Sequence, residues 1–528
     1  MPLETLVIGR IATFAGDQGF GWVEAVGIRD GKVAFAGSAV ELETRADPHT
    51  VRIELEPGEI ALPGLTDAHL HLVDAAIAAQ FTDLTDAATL EEGLEMIRLA
   101  AASVPPGTWI EGQGWDQRRW GRWPTAADLE RVIPGRAAAF WSFDHHAIWC
   151  SPAALERSGI DTRTTDPDGG IIRRLEDGTP EGVVLENACP LVMANLPEPD
   201  PADLRRLIEV MGRRLLALGV VAVHDPGNVS PDRLLTAFDA YGALADAGDL
   251  PVRVHACLRS EALELAGERG LRSGSLLGED RTGRARVGWL KLFADGTLGS
   301  QTAALLAPRT GTDDLGLFRM PPELLASLAE RAADLGIASQ VHAIGDHAAR
   351  ASIDALAPTV ARVPLMPRLE HVQLLQPDDL VRLAPLGIAA SVQPVHLRED
   401  ATTARRDWGE RAETWGYAWR SILESGAVLA FGTDAPVEPI DPWPGIAMSV
   451  LRKDPGWGIE AEPFGPDEAL TLEQALRAAT VGPATTAREP DRGRLVVGSR
   501  ADLIVLPATP QEPGGDATGG VGFANVQP

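Results

Sequence analysis

Eight short apolar runs, set apart by amphipathic stretches, constrain this chain more than any other feature. The first runs into LPGLTDAHLHL at residues 62–72, and the others fall at 220–224, 251–258, 286–293, 337–343, 368–372, 388–392 and 428–433. Runs of this length, apolar on both faces, read as strands of a parallel sheet, and the stretches between them read as crossover helices. Two of those, PADLRRLIEVMGRRLLALG and PPELLASLAERAADLG, end at glycine as helices often do. Eight strand–helix repeats close a (β/α)8, TIM-like barrel, so the fold class is α/β.

The flanks read differently. LVIGRIATF, AVGIRDGKVAFAG with Asp30-Gly31 as its turn, and TVRIELEPG are strands of a small β unit over residues 1–58. GRLVVGSRADLIVL, within 483–506, reads as two more strands around Gly-Ser, so one β-sandwich built from both chain ends is expected around a barrel at 59–482. Residues 83–200 interrupt the alternation and carry Trp109, Trp115, Trp120, Trp123, Trp141 and Trp149. That length exceeds a βα loop, so a subdomain inserted over the barrel mouth is expected. Trp408, Trp415 and Trp419 follow the seventh strand. Together these rings predict an aromatic wall for an apolar or aryl substrate. The Pro/Gly-rich stretch 507–528 reads as a flexible tail.

A net charge of −28 and a pI near 4.8 argue against a nucleic-acid or anionic-membrane surface. Three scattered cysteines make neither a disulfide framework nor a thiolate metal site. The N-terminus lacks a basic, long apolar leader, and no apolar run reaches membrane-spanning length, so a cytoplasmic location is expected.

Residues suited to metal ligation recur at the ends of these strands. Alternate side chains of a strand share a face, so His69 and His71 point together, with Asp67 on the same side. The bland reading of His-x-His is chance or a surface pair. Lys291 in WLKLF, His342 in QVHAIGD, His371 in RLEHVQ and Asp434 in FGTDAP end other strands, at the barrel face that carries catalytic residues. Lys291 sits among apolar neighbours on both faces. A buried ammonium there must be paired or lose its charge. The neutral amine can react with carbon dioxide, giving a carbamate able to bridge two cations. Pairing with Asp295 is the alternative.

The motifs PGLTDAHLH, GQGWD, GVVAVHDPG, WLKLFADGTLGSQTAALL, VHAIGDHA, RLEHVQLL, SVQP, GTDAPV and ADLIVL span nearly the whole chain. Together they resemble the metal-dependent amidohydrolase superfamily and, within it, amidohydrolase family 3, the N-substituted formamide deformylase-like group. The resemblance implies a binuclear site, with His69 and His71 on one metal and His342 and His371 on the other. It implies carboxylated Lys291 as the bridge and Asp434 as both ligand and catalytic group. One departure stands out: the usual Asp-Gly-His is Asp144-His145-His146 here, and the usual Asn-Ser is Cys150-Ser151. These positions are expected to approach substrate. His146, Trp115 and Gln393 are the expected substrate contacts, whereas His224 and His396 are assigned supporting or packing roles.

The function expected is hydrolysis of a C–N, amide-type bond in a small N-acyl or N-formyl compound. The cofactors are two divalent ions, expected to be zinc, and carbon dioxide for Lys291. A hydroxide held between the metals would attack the carbonyl, and Asp434 would carry its proton to the leaving nitrogen. A deaminase or ester hydrolase on the same scaffold, or a non-catalytic metal-binding protein, are the rivals. The expected partners are a small-molecule substrate and, at most, further copies of the chain, with no nucleic acid and no membrane.

Overall fold

The computed structural model describes residues 3–142, 147–167, 170–186, 188–196, 199–227, 235–458 and 460–507. The chain divides into two compact units, one comprising Met1–Ala75 with Arg205–Pro528 and the other Ala76–Leu204.

The first unit begins with strands β1 (Thr5–Ala12), β2 (Trp22–Arg29), β3 (Lys32–Gly37), β4 (Val51–Glu54) and β5 (Ile60–Pro63). Asp30 and Gly31, both at positive φ, make the β2–β3 turn, where glycine reaches the left-handed region without a Cβ clash. The barrel then starts at β6 (Leu65–Asp67).

The second unit holds β7 (Thr82–Asp83), β8 (Ile110–Trp115), β9 (Ala138–Ser142), β10 (Ala147–Cys150), β11 (Gly170–Arg174) and β12 (Pro180–Glu186), joined in one sheet. Its core is aromatic. Trp115 and Trp149 are fully buried and pack with Trp120, Trp123 and Phe140.

The barrel resumes in the first unit with β13 (Val220–Asp225), β14 (Arg253–Arg259), β15 (Ala285–Phe293), β16 (Ser339–Ala343), β17 (Arg368–His371), β18 (Ala389–Val392) and β19 (Leu429–Phe431). With β6 these form one all-parallel sheet in the order β19-β18-β17-β16-β15-β14-β13-β6. The eight runs expected as strands are these eight. The ring closes where Ala68 N–H donates to Phe431 O at 2.8 Å and Thr433 donates to the Asp67 carboxylate from its hydroxyl (2.7 Å) and its N–H (3.1 Å). β16, β17, β18 and β19 are buried at every residue, as strands covered on both faces must be.

The last strand, β20 (Leu503–Leu506), returns to pair antiparallel with β5, so both chain ends build one six-stranded sheet. Among the described strands this is a single sheet, where two packed layers were expected. The expected strand around Leu495 is also absent. That segment turns instead, burying Leu495 while its N–H donates to Thr13 O at 2.9 Å and Ser499 O accepts from Val33 N–H at 2.8 Å. Its backbone bonds go to β3 and to the end of β1, leaving none for a hairpin with β20. No helix among the described residues is long and apolar enough to cross a membrane.

Candidate active site

The strand ends of the barrel gather the side chains singled out in the sequence. β6 stops at Asp67, so His69 and His71 lie just beyond the strand. Asp67 does not join them. Its carboxylate accepts from His69 N–H (3.0 Å) and from Thr433, and it stitches the first strand to the last. Burial pushes its pKa up to about 7 against those hydrogen bonds.

His69, His371 and Asp434 each present a ligand atom, all within 4.8 Å of one another. His69 Nε2 and His71 Nε2 lie 3.4 and 3.5 Å from Asp434 Oδ1. His371 Nδ1 lies 4.0 Å from Asp434 Oδ2. The His342 ring stands 4.4 Å, centroid to centroid, from that of His371, and Lys291 Nζ lies 3.3 Å from His69 Nε2. All six are buried or nearly so. His371 and Asp434 adopt positive φ (72° and 63°). Such backbone in a residue with a Cβ is costly and clusters at functional sites.

Three of the four histidines, His69, His71 and His342, are held by the nitrogen facing away from the cluster. His69 Nδ1–H donates to Glu370 Oε2 at 2.5 Å, His71 Nδ1–H to Gly227 O at 2.8 Å, and His342 Nε2–H to Gly296 O at 2.9 Å. The opposite nitrogens remain available as ligands, the arrangement that outer hydrogen bonds impose on metal-binding histidines. Glu370 is in turn ion-paired to Arg368 at 2.7 Å. Arg368 crosses the barrel interior to Gln340, His224 and Ala68 O.

The electrostatics agree with this geometry. Burial, then the Lys291 charge, lowers His69 to about 4 and His342 to about 3, which keeps both imidazoles neutral. Burial lowers Lys291 to about 8, against the pull of Glu370 and Asp434. Burial alone would raise Asp434, yet His69, His396 and His71 hold it well below the ordinary carboxylate range. His396 Nε2 sits 3.2 Å from Asp434 Oδ2 and its Nδ1 3.5 Å from Glu438. Although burial opposes it, those two carboxylates raise His396 to about 10.

The expected substrate contacts fare unequally. Gln393, just past β18, is 3% exposed, and among the described residues neither its Oε1 nor its Nε2 has a hydrogen-bond partner. Trp115 is packed in the core of the second unit, its indole N–H spent on Phe140 O at 2.7 Å, so a pocket role is replaced by a structural one. Cys150 is likewise fully buried, and Ser151 caps the helix Pro152–Arg157. Trp408 and Trp419 are buried as well. His146 lies outside the described residues.

Glu370, Glu438 and Arg368 were not singled out in the sequence. The only signal was charge inside otherwise apolar strand-end motifs, RLEHVQ and GTDAPVE.

A buried, nitrogen- and carboxylate-rich donor set at barrel strand ends suits a divalent transition metal. Fold and site define a metal-dependent hydrolase of the amidohydrolase superfamily. The chain belongs to the amidohydrolase family, whose model matches residues 57–513. It is 30% identical to Protein LONG AFTER FAR-RED 3 of Arabidopsis thaliana, over 95% of this chain and 87% of that protein. It is 28% identical to an N-substituted formamide deformylase of Arthrobacter pascens, over 92% and 90% of the two chains. The crystal structure of a metal-dependent hydrolase from Pyrococcus furiosus superposes with a TM-score of 0.78 at 29% identity, covering 96% of this chain and 100% of that one.

Proposed function

We propose that this chain hydrolyses a C–N bond of amide type in a small N-acyl or N-formyl compound, releasing a carboxylate and an amine. The observation that carries this reading is the convergence of His69, His371 and Asp434 within 4.8 Å, with His71, His342 and Lys291 beside them. The Arthrobacter relative, named a formamide deformylase, supports the bond type.

His69, His71, His342, His371, Asp434 and a carboxylated Lys291 would hold two divalent ions, and the imidazole-rich set favours zinc. Ions bound there would polarise a carbonyl and bring the pKa of water toward neutrality. Carboxylation of Lys291 is supported by its burial and by a pKa near 8, which leaves a reactive neutral amine accessible near physiological pH. The ammonium form would place a positive charge 3.3 Å from His69 Nε2 and oppose a cation there. The carbamate reverses that sign.

Asp434 is ionised and lies beside both His69 and His71. It is suited to accept the proton of the attacking water and return it to the departing nitrogen. His396 holds Asp434 Oδ2, leaving Oδ1 toward the histidines. The tryptophans behind the expectation of an apolar or aryl substrate are largely spent on packing, so an aryl preference draws little support from them. The three cysteines are free and buried thiols, which supports a reducing, cytoplasmic setting.

The test is a panel of N-formyl and N-acyl amines assayed with metal-loaded and chelator-treated protein. Metal-dependent release of amine supports the reading. A panel-wide lack of turnover by fully loaded protein, with deamination or ester hydrolysis in its place, rejects it.

A further inference from the structure

The barrel mouth carries a cation that the hydrolytic reading leaves unused. Arg259 ends β14 and stands in register with Lys291 on β15. Its guanidinium carbon lies 4.4 Å above the Phe293 ring, the same ring that Lys291 Nζ approaches to 4.9 Å. Phe293 in turn sits 5.4 Å, centroid to centroid, from His342. Arg259 therefore shares one aromatic ring with two members of the candidate metal cluster.

Beyond that ring, the guanidinium has no hydrogen-bond or ion-pair partner among the described residues. Its Nη1 is buried without a hydrogen bond, and no described carboxylate forms an ion pair with it. Glu261, Asp74 and Asp225 influence it only through the longer-range field, and Glu261 accepts from Ser260 instead. Arg368, buried inside the same barrel, by contrast bonds Glu370, Gln340 and Ala68 O. Arg259 is half-buried, and leaving its buried Nη1 unbonded is costly, while a planar donor fork matches a carboxylate. Arg319 flanks the same ring at 5.0 Å from the exposed side, adding a second positive charge.

Gln393 supplies a second fixed point. It follows β18, which lies four strands from β14 in either direction around the ring. Its unpaired amide can donate and accept, as a substrate amide requires. A molecule spanning the mouth between these points would pass the cluster of His69, His371 and Asp434.

We infer that the substrate carries a carboxylate some atoms away from its scissile amide, and that Arg259 binds this carboxylate as the specificity-determining residue. The inference rests on the amide-hydrolase reading above.

The experiment compares matched pairs that differ only in charge: N-formyl-β-alanine against N-formylpropylamine, and the same two amines as N-acetyl and N-benzoyl derivatives. The readout is the ratio of kcat/KM, anionic over neutral, in the wild type, Arg259→Gln and Arg259→Lys. The ratio should exceed one in the wild type. It should fall by about tenfold or more in Arg259→Gln, as loss of a charge-assisted hydrogen bond implies. The loss should sit mainly in KM, and Arg259→Lys should fall between. A ratio below one in the wild type, or an equal ratio in wild type and Arg259→Gln, overturns the proposal. Calorimetric binding of the anionic members to metal-loaded protein gives a second reading. Should no amide be hydrolysed, the hydrolase reading fails, while weaker binding to Arg259→Gln than to wild type still supports the carboxylate site and equal binding overturns it.

Discussion

His69 Nδ1 stands 2.5 Å from Glu370 Oε2, and solvent reaches neither side chain. Burial alone would raise Glu370, but Arg368 and His69 lower it to about 2, so it is a permanent anion behind the histidine. This contact fixes which nitrogen of His69 faces the cluster. Glu370→Gln should weaken metal affinity by about 10–100-fold, the range for losing such an outer partner. Competitive metal titration against a chromophoric chelator measures it. Unchanged affinity would remove Glu370 from the positioning role.

Glu370 also shows what the sequence could and could not reveal. The barrel was legible because β15, β16 and β17 are buried on both faces and therefore read as continuous apolar runs. His342, His371, Lys291 and Asp434 were legible because their polar atoms interrupt such runs at the ends. Glu370 interrupts one too, but its partner lies 301 residues away. No local spacing records that pairing. The tryptophans misled for a related reason. Composition cannot distinguish a ring in a pocket wall from one in a core, and Trp115, Trp149, Trp408 and Trp419 are core. The strand expected around Leu495 did not form because that segment bonds to Val33 on β3 and to Thr13 at the end of β1, partners far away in the sequence.

Lys291→Ala should lose metal and turnover together, and short carboxylic acids supplied in the buffer should restore part of both. Metal analysis with and without propionate checks this. Full metal content and activity in Lys291→Ala would reject the bridging carbamate.

Asp434→Asn keeps the size of the side chain but removes its basicity. It should lower kcat by ~10²–10⁴-fold, typical of a general acid–base group, while much of the metal remains. Near-normal turnover would assign the proton to another residue.

β20 contributes Ile504 and Val505, both buried, to the edge of the first sheet against β5. Ending the chain at Asp502 should expose that apolar edge and lower solubility and thermal stability. A truncated protein that melts at the wild-type temperature would show that the sheet does not need its C-terminal strand.

Away from the cluster, Glu489 meets Arg492 at 2.7 Å, with Arg286 at 3.5 Å and His255 at 3.9 Å. Burial opposes ionisation, but the charge and hydrogen bond of Arg492, with Arg286 beside it, lower it from 4.5 to about 2. A depressed carboxylate contributes stability above its unfolded pKa, and that contribution is lost as pH falls through the folded value. Glu489→Gln should therefore destabilise the protein at neutral pH by up to about 3 kcal/mol. The gap to wild type should narrow as pH drops from 4.5 toward 2. Denaturant midpoints across that range measure it, and a gap that stays constant would contradict the assignment.

The most direct measurement is a titration of metal-free protein with zinc. Metal bound per chain would be read by mass spectrometry of the folded protein, alongside release of amine from an N-formyl substrate. Two ions per chain, with activity rising as the second binds and a mass increment matching one carboxylated lysine, is the predicted result. Full turnover by protein stripped of metal, or by a loaded chain whose Lys291 is unmodified, would contradict it.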